Sequence, residues 1–192
     1  MKRKVLVFIS ESFADWESAY ICSTLNAPES NCNIKTLSLD TKPKTSMGGF
    51  RVLPDYCVED FPKEFDLLLL IGGLSWKEKK NNAVLPVVEY ASKKHIPIGA
   101  ICDAVGFLAE QGYLDTIKHS GNSLQGIKDQ APHYKGELNF VEKQAVCDSA
   151  IITANGTAPL EFAREILLLL KVMPVETVQE WYGFHKTGFY QA

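Results

Sequence analysis

No Cys-x-x-Cys pair occurs among the five cysteines of this 192-residue chain, Cys22, Cys32, Cys57, Cys102 and Cys147. That argues against a zinc ribbon or a thioredoxin-type redox pair, and an odd number of widely spaced thiols fits a reducing compartment. No Gly-x-Gly-x-x-Gly or Walker sequence is present, which leaves nucleotide binding without support. After the first apolar run, Ser10-Glu11-Ser12-Phe13 lacks the glycine and paired hydroxyls of a flavodoxin phosphate loop. An excess of positive charge is missing too. Lys and Arg number 20 against 23 Asp and Glu, for a net charge of -3 and a pI near 5.8. A nucleic-acid or anionic-membrane surface is therefore not expected. Val5–Ile9 and Leu67–Ile71 are apolar runs of only five residues, far short of the roughly 20 that span a bilayer. Lys2, Arg3 and Lys4 precede the first run, but it is too short for a signal peptide and reads as a buried strand. The expectation is a cytoplasmic protein with no metal site and no cofactor.

What the chain has is an ordinary globular composition, 46% hydrophobic and 22% charged, enough for one domain spanning residues 1–192 with a core that needs no staples. Continuous apolar runs bounded by polar residues mark strands covered on both faces. Three are plain: Val5–Ile9, Asp66–Ile71 and Ile96–Ile101. Cys32–Leu39 and Ser149–Thr153 read as two more. Between them, helical spacing is seen over Phe13–Leu25, Asn81–Lys94 with Pro86 in its first turn, Asp103–Gln111, Pro159–Leu170 and Val175–Tyr182. Pro43, Gly48-Gly49 and Pro54 punctuate a small hairpin excursion. Residues His119–Ala145 read as polar and irregular, with a hairpin expected over Glu137–Val146, and Gly183–Ala192 as an aromatic tail. Strands alternating with helices predict an α/β protein of three αβα layers, a doubly wound, mostly parallel sheet with a small β-hairpin. Sites in such sheets lie at the carboxyl ends of the strands, here just after Ile9, Ile71, Ile101 and Thr153.

At one of these ends, Ala100-Ile101-Cys102-Asp103-Ala104 has the form small-x-nucleophile-x-small between a strand and a helix. That is the pattern of a nucleophile elbow, where small neighbours permit a strained turn that presents the middle side chain. A thiol there also sits at a helix N-terminus, whose partial positive charge favours thiolate. Gly72-Gly73 closes the neighbouring strand, where backbone N–H groups can approach a ligand and build an oxyanion hole. Glu17, in the helix after the first strand, could reach the thiol. Ionised it would oppose a thiolate, and protonated it could donate to one. Asn155-Gly156-Thr157 is a turn into a helix that could offer N–H groups to an anion.

Ala14-Asp15-Trp16-Glu17, Gly72-Gly73, Ala100-Ile101-Cys102, Gly112-Tyr-Leu-Asp115 and Ile152-Thr-Ala-Asn-Gly156 leading into Glu161-Phe-Ala163 together resemble the ThiJ/PfpI family of the class I glutamine amidotransferase-like superfamily, over residues 4–170. The resemblance implies a flavodoxin-like fold and a homodimer. It also implies a nucleophilic, redox-sensitive Cys102, a Glu17 hydrogen-bonded to its sulfur, and an oxyanion hole helped by Gly73. The peptidase-like branch of that family carries His directly after the cysteine. Here the residue is Asp103, whose charge would raise the thiol pKa and which suits the first turn of a helix. Another branch has a His in the loop after the elbow helix, and His119 lies near that place. The activity the resemblance implies is that of a cysteine-dependent, glyoxalase- or deglycase-like or other hydrolase acting on a small carbonyl or acyl substrate. A non-enzymatic redox-sensing stress protein or chaperone is the alternative. A glutamine amidotransferase-like hydrolase ranks last, since no His-x-Glu pair occurs late in the chain.

Overall fold

The computed structural model describes residues 2–189. Among the described residues nine strands form: β1 (Arg3–Phe8), β2 (Cys32–Ser38), β3 (Lys44–Thr45), β4 (Arg51–Val52), β5 (Tyr56–Cys57), β6 (Leu67–Leu70), β7 (Ile98–Ile101), β8 (Ala145–Asp148) and β9 (Ile151–Ala154). Seven of them make one sheet in the order β5-β2-β1-β6-β7-β9-β8, parallel except for β8, which runs antiparallel to β9. The helices are α1 (Asp15–Leu25), α2 (Leu85–Lys93), α3 (Asp103–Glu110), α4 (Leu124–Gln130), α5 (Pro159–Leu170) and α6 (Val175–Thr187).

The period of two along each strand decides which layer a side chain joins. In β1, Leu6 and Phe8 enter a core with Val87 and Val88 of α2, Val105 and Leu108 of α3, and Ile127 of α4. Val5 and Val7 enter the opposite core with Ile21 of α1, Phe162 and Ile166 of α5, and Val178 of α6. In β6, Leu68 and Leu70 face the first core and Leu67 and Leu69 the second. Continuous apolar runs are thus what a sheet covered on both faces requires. The three-layer α/β architecture is as the sequence pattern indicates, and the excursion expected after β2 is the β3–β4 hairpin.

Four local expectations are corrected. The segment after residue 119 contains α4, capped by the Ser123 hydroxyl accepting from the Gly126 N–H at 2.9 Å. The hairpin falls later than Glu137–Val146. Glu137–Asn139 is a 3-10 turn, and β8 folds back on β9 through Ser149 and Ala150, both at positive φ. The last helix runs to Thr187, past the expected end at Tyr182, with Gly188 in the left-handed region closing it. Of the aromatic tail, residues 190–192 lie outside the described residues. The expected helix over Asn81–Lys94 begins as a 3-10 turn, Lys79–Val84, and becomes α2 at Leu85, with Pro86 in the first turn where its missing N–H costs nothing.

Candidate active site

Cys102 caps α3 with φ 60° and ψ −130°, a conformation an L residue rarely adopts. Such a backbone costs about 1–3 kcal/mol and persists only where its surroundings fix it. Here the Cys102 N–H donates to the Ala154 carbonyl of β9 at 3.0 Å, and the Cys102 carbonyl accepts from the Val105 N–H at 3.1 Å. Ala100 and Ala104, both buried, leave room for the turn.

Glu17 stands in the first turn of α1 and is fully buried. Its Oε2 accepts from the Gly72 N–H at 2.8 Å. Its Oε1 is a buried oxygen with no well-formed hydrogen bond, and it lies beside the sulfur. A Cβ placed on Gly156 would come within 2.8 Å of Cys102 Sγ and 3.1 Å of Glu17 Oε1. A Cβ on Gly72 would lie 2.6 Å from both the Cys102 Cβ and Glu17 Oε2. Neither glycine can carry a side chain without displacing the Glu17–Cys102 pair, which is why both positions are bare. Gly73 turns the chain away at φ 150°, and its N–H meets no acceptor among the described residues.

The electrostatics of the pair follow from burial. Loss of water raises the Glu17 carboxyl from 4.5 to about 7; the Asp103 charge adds to the rise, while hydrogen bonding from Cys102 and Gly72 opposes it. Burial also pushes the Cys102 thiol up to about 12, followed by the charge of Glu17, with the Asn122 side chain pulling the other way. The helix N-terminus expected to favour thiolate is thus opposed by the burial of the same sulfur. Desolvation and the two nearby carboxylates act against thiolate formation. Asp103 adds to that rise, in the direction its sequence position implied.

Asn122 completes the group. Its Nδ2 donates to Cys102 Sγ at 3.3 Å and to Asp103 Oδ1 at 3.2 Å, and its Oδ1 accepts from the Gly156 N–H at 2.8 Å. Trp16 Nε1 donates to the Gly156 carbonyl at 3.3 Å, closing the turn from the other side. Asn155 accepts from the Thr157 N–H and hydroxyl at 3.0 and 2.6 Å, so these two residues shape the turn and leave the contact with sulfur to Gly156. His119 is directed elsewhere. It is fully buried, with Nδ1 at 2.8 Å from the Ile117 carbonyl and Nε2 at 2.6 Å from the Tyr134 hydroxyl. Burial holds its imidazole below the usual range. Both ring nitrogens are thus engaged away from the sulfur, which leaves His119 a packing role against Tyr134 and Phe140. A cavity of about 640 Å³ opens over Cys102, walled by Asp103, Asn122, Trp76 and Phe107. Sequence reasoning reached Glu17, Gly72 and Gly156 but passed over Asn122, three residues beyond the histidine it chose. Among the described residues no cluster of three or more His, Cys, Asp or Glu side chains could hold a metal ion, and no helix is long and apolar enough to cross a membrane.

A sequence profile of the DJ-1/PfpI family matches residues 3–169. The chain belongs to the DJ-1/PfpI family. The "uncharacterized protease YdeA" of Bacillus subtilis is 42% identical over 188 residues, covering 98% of this chain and 93% of that protein. The "uncharacterized protease YoaZ" of the same organism is 34% identical, covering 96% and 91%. Among solved structures, a ThiJ/PfpI family protein from Bacillus anthracis superimposes with a TM-score of 0.90 at 34% identity, over 98% of this chain and 92% of that one. The family profile spans the strands β1, β6, β7 and β9, after whose carboxyl ends Glu17, Gly72, Cys102 and Gly156 stand, together with the loop that carries Asn122, and stops within α5.

Proposed function

We propose that this DJ-1/PfpI protein uses Cys102 to add to a small electrophilic carbonyl or acyl compound, in glyoxalase- or deglycase-like or related cysteine-hydrolase chemistry. The observation that carries this reading is Glu17: a wholly buried carboxyl, fixed at Oε2, with Oε1 beside the sulfur and in no well-formed hydrogen bond, and brought by burial to about 7. A base poised near neutrality transfers protons most effectively at physiological pH. In the step envisaged, the Sγ–carbon bond forms while the thiol proton moves to Glu17 Oε1. The carbonyl π electrons pass to oxygen, which then regains the proton from Glu17 to give a hemithioacetal. The Gly73 N–H and the Asp103 N–H, in the first turn of α3 where such groups lack intrahelical partners, are the donors proposed for the developing oxyanion.

The same geometry weighs against the proteolysis that the Bacillus subtilis names suggest. Amide cleavage needs a proton for the leaving amine, supplied by imidazole in Cys-His enzymes. The polar side chains at Sγ are Glu17, Asp103 and Asn122, and His119 is engaged elsewhere. It weighs against rapid peroxide sensing as well, because oxidants attack thiolate and burial keeps this thiol protonated. Turnover of methylglyoxal and of simple esters by the wild type, Cys102→Ser and Glu17→Gln tests the reading. Turnover that vanishes in Cys102→Ser and falls at least a hundredfold in Glu17→Gln is expected. No turnover, with ready sulfinate formation at Cys102 alone, would instead establish the redox role.

A further inference from the structure

The Asn122 side chain is exposed to the cavity, yet its amide is engaged at three points. The Gly156 N–H fixes the orientation. It must meet the amide oxygen, so the NH₂ group faces Sγ and Asp103 Oδ1, and a flipped amide would set donor against donor. Each of the two N–H bonds then has its own acceptor. No proton can be taken up at this position, which borders the sulfur where an imidazole would be a base. The Cys102 thiol donates to Asp103 Oδ1 at 3.9 Å, and the carboxamide nitrogen donates to both Sγ and that oxygen.

We propose that Asn122 is a positioning residue of this site: its carboxamide steadies the Cys102 sulfur by donating to it, engages the neighbouring Asp103 carboxylate, and ties both to the Gly156 turn. As the thiol proton leaves for Glu17, negative charge grows on a sulfur already held by a neutral donor, and a hydrogen bond to a charged group is worth more than one to a neutral group. Two carboxyls on different helices bear on the sulfur, Glu17 from α1 and Asp103 from α3. Lys77, Glu78, Lys79, Glu110 and Asp129 line the same cavity farther out. Asn122 is the neutral donor that offsets the two carboxyls. It also occupies Asp103 Oδ1, the second carboxylate oxygen in reach of the thiol proton, and brings no proton-exchanging group of its own to the sulfur.

The inference rests on Cys102 being the reacting group of the proposed function, and its test reads the sulfur itself. Cys102 is alkylated with iodoacetamide from pH 6 to 10, the Cys102 peptide being followed by mass spectrometry, in the wild type, Asn122→Ala and Asn122→Asp. The aspartate keeps the acceptor for the Gly156 N–H and removes both donors. In both variants alkylation at pH 7 should slow roughly tenfold, the worth of one hydrogen bond to a charged sulfur, and the rate profile should move to higher pH, further for Asn122→Asp. Two results overturn the proposal: a wild-type profile in both variants, or slowing in Asn122→Ala alone, which would make the residue an anchor for the turn only. If Asn122→Ala fails to fold, the near-isosteric aspartate decides. Loss of methylglyoxal turnover with alkylation as expected would sink the proposed function and leave this inference standing.

Discussion

Replacing Glu17 with Gln should make the protein more stable at neutral and alkaline pH. The carboxyl has an ordinary value of 4.5 in the unfolded chain and about 7 in the folded one. The folded state therefore holds its proton more tightly. Stability from this group is full below 4.5, falls as pH rises between 4.5 and about 7, and stays low above that. A displacement of this size corresponds to about 3 kcal/mol, which is the penalty for keeping a bare carboxylate in the core. Gln cannot ionise, and its amide oxygen can still accept from the Gly72 N–H. Urea unfolding of both proteins from pH 5 to 8 checks this, because every other titrating group, His119 included, is common to the two and cancels in the difference. Relative to the wild type, Glu17→Gln should gain about 2–3 kcal/mol over that range, or about 2–4 °C in Tm for each kcal/mol in a chain of this size. A difference that stays flat would refute the argument, since it would mean that Glu17 is ionised throughout or that water reaches it. Activity should move the opposite way, so the two readouts together distinguish a poised base from a structural carboxyl.

Two further outcomes are set by the geometry. Gly156→Ala sets a methyl carbon 2.8 Å from Sγ and 3.1 Å from Glu17 Oε1; it should cost about 1–3 kcal/mol through overpacking and slow alkylation of Cys102, and a wild-type alkylation rate would show that the turn moves freely. His119→Leu should leave Cys102 alkylation within about twofold of the wild type while costing about 2–3 kcal/mol in urea unfolding, because the Tyr134 hydroxyl and the Ile117 carbonyl lose their partner in the core. A collapse of alkylation in that variant would return the imidazole to the site.

The parts of this protein legible in the sequence are those governed by short-range pattern. Apolar runs such as Leu67–Leu70 must be covered on both sides, and a cysteine between small residues at a strand end must turn sharply. What stayed hidden depends on partners distant in the chain or on weak local signals. Helix α4 carries a single buried residue, Ile127, and a glycine at position 126, so no periodicity announces it; the Ser123 cap was its readable mark. The β8–β9 turn uses Ser149 and Ala150 at positive φ, residues that give no turn signal. Asn122 resembles any loop asparagine until Cys102, Asp103 and Gly156 are brought to it. His119 attracted attention because histidine is the usual partner of a nucleophilic cysteine, yet Tyr134 and Ile117 claim it. The burial of Cys102 was hidden for a related reason, since a helix N-terminus can be read locally while burial cannot.

The sheet order has a consequence for when this chemistry comes into being. Glu17, Gly72, Cys102 and Gly156 come after four different strands, and those strands become neighbours only after the parallel crossovers between them close. Parallel pairing of this kind forms late, because loop closure has to precede the contacts that reward it. A nascent chain that has emerged only as far as Cys102 carries a thiol of ordinary acidity, about 8.5, exposed and open to indiscriminate oxidation. Once β9 docks on β7 and brings Gly156 over the sulfur, the same atom is partly buried and lies beside the Glu17 carboxyl. On the proposed function, folding would then act as a chemical safety catch, quieting the thiol toward casual oxidants while leaving it open to a molecule that fits the cavity.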